Sequence, residues 1–231
     1  MKLLTQTLYK FSELSPAAQA RALKAAIQSR YEDPDNFWAE HPLEEAAEQG
    51  RLLGFTFDER PRKSLSGKPL PGEPKIYWSG FSSQGDGACF EGSWSARDCL
   101  AGAAKVAEGW GCKTEKRGPE VGPKKHASDC PTCELRAIAA ALLKEVSAFP
   151  SASFLVKHRG HYRHENCTEF VFDEDSPEYV CEQLEELAKD FMRWIYRSLE
   201  AAYDYETSEE NVLEQLRDLD EEIYDEDGDQ I

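Results

Sequence analysis

An α+β fold is what this sequence predicts, with a small antiparallel β-sheet covered by helices and an acidic helical pair at the C-terminal end. Three observations lead there. Short alternating segments near residues 75–94 and 153–172 read as strands, longer runs with apolar residues every three or four positions read as helices, and the acidic residues gather on the last of those helices. With 40% apolar and 11% aromatic residues, a chain of 231 residues can bury a real core although 31% of it is charged.

The chain opens as a strand at Tyr9, Lys10 and Phe11. A helix follows, because Ser15 suits the N-cap and Pro16 the first helical position. The Ala-rich run to Tyr31 continues it, with Ala18, Ala22, Ala25 and Ala26 near Leu23 forming a small-residue face. A second helix is expected from Pro42 to Gly50, a suitable residue to end it, and Leu52, Leu53, Phe55 and Phe57 then turn into a short strand. Residues 60–74, rich in proline, glycine and basic side chains, read as a loop. Residues 75–81 alternate as a strand, 84–87 form a turn and 88–94 return as a second strand.

Residues 97–110 are predicted helical, 111–131 form a Gly/Lys-rich loop, and 134–148 form another helix. Residues 153–158 and 168–172 are two strands joined by a His-rich connection. Val180, Leu184, Leu187, Phe191, Ile195 and Leu199 step by three and four, as do Val212, Leu216, Leu219 and Ile223, which gives two amphipathic helices. The expected organisation is an α+β domain over 1–172, carrying inserted loops 60–74 and 111–133. Acidic helices over 173–231 pack on the same domain.

Charge bounds the partners. Residues 173–231 hold 22 Asp and Glu against 4 Lys and Arg, whereas the whole chain has a net charge of −17, so residues 1–172 are close to neutral. Such an end repels nucleic acid and anionic membrane and attracts basic protein surfaces. No apolar stretch approaches the roughly 20 residues of a membrane span. The N-terminus turns polar too early for a signal peptide, so a cytoplasmic protein is expected. Seven irregularly spaced cysteines argue against a disulfide framework and for reduced thiols.

Three segments carry a resemblance: residues 9–16 (YKFSELSP), 78–93 (WSGFSSQGDGACFEGS) and 156–164 (VKHRGHYRH). Together they resemble a family met in phage and prophage genomes, whose members are uncharacterised or loosely labelled as an antitoxin of a toxin–antitoxin system. The resemblance extends from the first helix to the region of Trp194, and loops 60–74 and 111–133 look like elaborations on it. It implies an accessory gene of a mobile element, active in the cytoplasm of a bacterial host, and brings no catalytic residues. Genes in that setting often inhibit host defences, anti-CRISPR proteins among them.

Four constellations of residues offer chemistry. Cys112, His126, Cys130 and Cys133 have a two-residue-spaced knuckle in Cys130 and Cys133, and three thiolates with one imidazole suit a closed, structural zinc ion; the alternative is a loop of unrelated thiols. His158, His161 and His164, with Asp86 and Glu91, are the candidates for a metal-assisted hydrolase. The favoured reading of those histidines is structural, as hydrogen-bond partners of the sheet edge and Tyr162, because steps of three in an extended segment alternate faces. The Ser- and Gly-rich segment 79–91 offers Cys89 as a nucleophile, but a tight turn capped by Asp86 beside a small buried cysteine is the favoured reading. Last come the carboxylates of the two final helices: Glu178, Glu182, Glu185, Glu186, Asp190, Glu200, Asp204, Glu206, Glu209, Glu210 and Glu214. They line a ridge whose charge spacing imitates a nucleic-acid duplex and fits a basic channel.

The expected function is therefore binding rather than catalysis. The chain is read as an accessory protein that inhibits a host defence or nucleic-acid-handling complex through an acidic, nucleic-acid-mimicking surface, with Trp194 or Tyr203 as exposed aromatic anchors. The acidic face itself does not bind nucleic acid. An antitoxin neutralising a basic toxin would use the same mechanism on another client. The paired amphipathic helices leave the oligomeric state open, dimerisation included.

Overall fold

A computed structural model describes residues 7–32, 37–64, 66–109, 130–173, 176–218 and 223–231. The helices are α1 (Pro16–Tyr31), α2 (Glu40–Leu52), α3 (Ala96–Gly109), α4 (Pro131–Ala148), α5 (Glu178–Glu206) and α6 (Glu209–Asp218). The strands are β1 (Phe55–Phe57), β2 (Glu59–Lys63), β3 (Pro69–Pro74), β4 (Ile76–Ser79), β5 (Gly87–Phe90), β6 (Gly92–Ser95), β7 (Ser153–His158) and β8 (Thr168–Phe172). The fold is α+β, as its patterning predicts. Among the described residues no helix is long and apolar enough to cross a membrane.

The main sheet is antiparallel and ordered β1-β6-β7-β8. Trp94 sits at its centre, opposite Phe55 on one side and Phe154 on the other. Its side chain is buried, stacks on Phe154 at 5.2 Å, and its indole N–H donates to the Leu53 carbonyl at 2.8 Å. The buried aromatic that covers this sheet is Phe191 of α5, stacked on Phe55 at 5.0 Å and edge-on to Phe90. Val180, Leu184, Ala188, Met192, Ile195 and Leu199 complete the buried stripe of α5. Burial of such a stripe, rather than intrinsic propensity, is what holds an amphipathic helix in place.

Contacts divide the chain into two compact units, Met1–Glu40 with Glu200–Ile231, and His41–Leu199. The division differs from the boundary expected at 172, because α5 is one continuous helix whose last turns belong with the N-terminal segment. In the first unit Phe11, Leu14, Ala18, Ala22, Val212, Leu216 and Tyr224 form one buried cluster. The methyl-sized face of α1 lets α6 approach closely. Ser15 caps α1, accepting from the Ala18 amide at 3.2 Å.

Several local expectations need correction. Residues 60–74 are not a loop: β2 and β3 pair as a two-stranded ribbon, with Glu59 opposite Pro74 and Lys63 opposite Pro69. Prolines fit there because each strand of an isolated ribbon has a free edge, where the missing N–H is not needed. The second helix does not stop at Gly50. It runs to Leu52, and Gly54, at φ 90°, takes the left-handed turn instead. Gly50 lies inside the helix, where glycine is required because an added Cβ would come within 2.4 Å of the Phe57 ring.

Residues 88–94 are two strands, not one. β5 pairs with β4, while β6 crosses into the main sheet between β1 and β7. The opening strand reduces to a bridge between Tyr9 and Tyr224, after which Phe11–Glu13 forms a turn of 3-10 helix. That bridge also takes Ile223 off the helix predicted for it; Leu219 lies outside the described residues.

Candidate functional site

The segment 78–93 builds a hairpin whose tip is fixed from within. Asp86 accepts the amides of Ser82 at 3.0 Å and Ser83 at 2.6 Å, and the second of these hydrogen bonds does most to hold its carboxyl below the usual carboxylate range. Outside the hairpin, Tyr196 of α5 donates its hydroxyl to the Gly80 carbonyl at 2.9 Å and packs against Phe81. The other side receives the His-rich connection. A Cβ on Gly85 would fall 2.2 Å from the Tyr162 ring, and one on Gly87 would fall 2.3 Å from the Cβ of His164. The two glycines flanking Asp86 are therefore the places where residues 159–167 lie directly on the hairpin.

The histidines divide their roles. His158, at the end of β7, faces the Tyr77 ring at 5.4 Å; its Nε2 lies 2.8 Å from the Tyr162 carbonyl and its Nδ1 lies 3.2 Å from the Arg163 guanidinium. A guanidinium only donates, so Nδ1 is the acceptor and Nε2 carries the hydrogen given to Tyr162. His164 caps the short turn Glu165–Cys167, with Nδ1 accepting the Asn166 amide and Nε2 lying 3.8 Å from the Cys167 sulfur. His161 is exposed, edge-on to Tyr162 at 5.6 Å.

The carboxylates expected to join them are engaged elsewhere. Asp86 serves its own turn. Glu91 accepts from Lys75 at 2.9 Å and from the Tyr77 hydroxyl, which lowers its pKa, while the same contact with Glu91 raises that of Lys75. Among the described residues no group of three or more His, Cys, Asp and Glu side chains is placed to hold a metal ion. Cys89 is fully buried, and burial pushes its thiol up to about 12.

The proposed zinc ligands are divided. Cys112 and His126 lie outside the described residues. Cys130 occupies the N-cap position of α4 and Cys133 lies in its first turn.

The carboxylates of α5 share a face except Glu206, which falls on the side of the buried stripe. At 100° per residue, Glu178, Glu182, Glu185, Glu186 and Asp190 fall within an arc of about 140°, opposite the buried stripe. Lys189, Arg193 and Arg197 fall in the same arc and were missed as a feature of the ridge, although their spacing of four was legible in the sequence. Lys189 pairs with Glu185 at 2.6 Å. Arg193 pairs with Glu186 and with Asp190, each at 2.6 Å, and reaches Glu165 at 3.5 Å. Burial alone would lower the pKa of Arg193, but its hydrogen bonds to Asp190 and Glu186 outweigh that and raise it. Arg197 pairs with Glu134.

In the other unit, Glu206 pairs with Arg30 at 3.3 Å. Glu178, Glu182, Glu200, Asp204, Glu209, Glu210 and Glu214 have no ion pair among the described residues. Two patches of uncompensated carboxylate result, at the start of α5 and around the junction of α5 with α6. The expected aromatic anchors are not exposed. Trp194 is buried and donates to the Pro131 carbonyl at 2.9 Å, and Tyr203 is half-buried against Tyr31 and Trp38. Tyr179 and Tyr205 stand out instead, at 60% and 61% exposure.

Sequence reasoning also missed a pair of arginines. Arg60 of β2 and Arg163 of the His-rich connection place their guanidinium carbons 4.5 and 4.8 Å from the centre of the Tyr77 ring. Nothing in the sequence joins residues 60, 77 and 163; the ribbon β2–β3 and the turn after β7 do so.

The chain is thus an α+β protein with an acidic helical surface and a histidine- and arginine-lined hairpin. It belongs to the family described as domain of unknown function DUF8835, which matches residues 38–209. The matched span contains the hairpin, the His-rich connection and α5 in full. No curated protein and no solved structure matches the chain.

Proposed function

We propose that this protein acts by binding, presenting the carboxylates of α5 and α6 to a basic surface of a nucleic-acid-handling protein complex. The observation that carries this reading is the placement of the acidic excess. The carboxylates project from two helices whose apolar stripes are buried, so the charge stands on fixed backbone. Seven of the eleven have no internal partner among the described residues. Uncompensated surface charge accelerates encounter with an opposite charge and orients the docking. Tyr179 and Tyr205, large and exposed beside those carboxylates, are the side chains to anchor the contact.

In the mobile-element setting that the resemblance implies, the client is a host defence complex, and the protein inhibits it by occupying its nucleic-acid channel in the host cytoplasm. The test is recovery of partners from bacterial lysate on the tagged chain at about 0.1 M and 1 M salt, between which the Debye length falls from roughly 10 to 3 Å. A basic nucleic-acid-binding complex retained at low salt and lost at high salt is expected. A triple variant, Glu182→Lys, Glu209→Lys and Glu210→Lys, should lose it. Retention of the same partner by the folded variant sinks the reading, and recovery of a small basic toxin would name the antitoxin role instead.

A further inference from the structure

Tyr77 carries a concentration of positive charge that no structural pairing consumes. The two guanidinium carbons lie 4.5 and 4.8 Å from one ring centre, so they are no more than about 9 Å apart. Like charges so placed repel, and each is held by uncharged partners. Arg60 donates one hydrogen bond to the Ile76 carbonyl at 3.0 Å, and Arg163 donates one to His158 at 3.2 Å. Neither makes an ion pair among the described residues. A guanidinium has five N–H donors, so most of those on both arginines remain unspent.

The nearby carboxylates are committed, Glu165, two residues from Arg163, to Arg193 at 3.5 Å. Glu91 and Asp58 share Lys75, at 2.9 and 3.5 Å, and Glu91 also takes the Tyr77 hydroxyl. Glu73 is the strand partner of Arg60 but forms no ion pair with it. Arg62 and Lys63 on β2, and Lys68 just before β3, are exposed and add to the field, their side chains forming no ion pair among the described residues.

We propose that Arg60 and Arg163, fixed on Tyr77, bind a phosphate group. Guanidiniums pre-set over a ring and by one hydrogen bond each lose little freedom on meeting an oxyanion, and the planar fork of arginine matches a phosphate. A phosphate would also relieve the repulsion between them. The ligand is small. A net charge of −17 opposes a long polyanion, so the phosphate is a terminal one on a small molecule or a short strand, and a mononucleotide and a 5′ strand end are the two sources to compare. Phosphate binding here does not require the carboxylates offered to a basic partner.

The test is calorimetric titration of the full chain in a chloride buffer with inorganic phosphate, with AMP, and with a short oligothymidylate bearing or lacking a 5′ phosphate. Saturable binding of phosphate and AMP is expected. Arg60→Gln and Arg163→Gln should each weaken it about tenfold or more, as loss of a charge-assisted contact requires. Arg62→Gln, on the same ribbon but away from the Tyr77 ring, should change it far less. Tighter binding of the phosphorylated strand than of AMP identifies a strand end as the source, and equal or weaker binding identifies a free nucleotide. Circular dichroism checks that each variant is folded, and the two arginines lie on different elements, so one misfolded variant leaves the other as the test. Absence of binding by phosphate and AMP at millimolar concentration overturns the proposal. So does unchanged affinity in a folded Arg60→Gln or Arg163→Gln variant.

Discussion

Replacing Gly87 and Gly85 separately by alanine probes how the hairpin meets the His-rich connection, because one methyl group meets a different obstacle at each site. At Gly87 the new Cβ would sit 2.3 Å from the His164 Cβ and 2.7 Å from its Cα, both fixed to backbone. At Gly85 it would sit 2.2 Å from Cδ1 of Tyr162, a ring that is 56% exposed and free to swing outward. Overpacking that forces backbone to move costs about 1–3 kcal/mol, whereas displacing the end of an exposed side chain costs well under 1 kcal/mol. For a chain of this size 1 kcal/mol moves Tm by roughly 2–4 °C. Gly87→Ala should therefore lower Tm by roughly 2–12 °C, and Gly85→Ala by less, no more than about 3 °C, in thermal unfolding followed by circular dichroism. Equal shifts, or a larger one for Gly85→Ala, would refute the packing of His164 on the hairpin.

Asp86→Ala should cost about 1–2 kcal/mol at neutral pH, since two amides lose a charged acceptor. The folded pKa of Asp86 is depressed, so its contribution is present above the ordinary value of 3.8 and disappears as pH falls through the lower folded value. Wild type and variant should then converge in stability in acid, which denaturant titrations across pH would show. Trp94→Phe keeps an aromatic ring but leaves the Leu53 carbonyl without its donor in the core, and should cost about 1–3 kcal/mol in urea unfolding. Arg193→Gln should change stability by under about 1 kcal/mol, as for other partly exposed ion pairs, yet free Glu186 and Asp190. Binding of a polylysine peptide, measured at low salt, should tighten in that variant, and weaker binding would count against the carboxylate face.

Much of the fold is legible in residue order. The stepping of Val180, Leu184, Phe191, Ile195 and Leu199 locates α5, and Ser15 with Pro16 locates the start of α1, because helix burial and capping are local properties of spacing and side-chain chemistry. The ribbon β2–β3 is hidden because its prolines and basic residues mark a loop in any local reading, and only pairing across the ribbon makes a strand of them. The exchange of partners between β5 and β6 is equally non-local.

For the candidate sites the same division holds. All the ridge carboxylates of α5 but Glu206 share a face by periodicity alone, and the acidity of residues 173–231 is a matter of counting. Whether each carboxylate is free depends on rotamers and neighbours, so the pairing of Arg193 with Glu186, Asp190 and Glu165, and the burial of Trp194, come from packing. The sequence by itself determined helix faces, strand alternation and the sign of the charge, which depend on near neighbours in the chain. Tertiary structure alone brought residues 60, 77 and 163 to one ring and laid His164 on Gly87, because contacts between distant segments are set by the whole packed core.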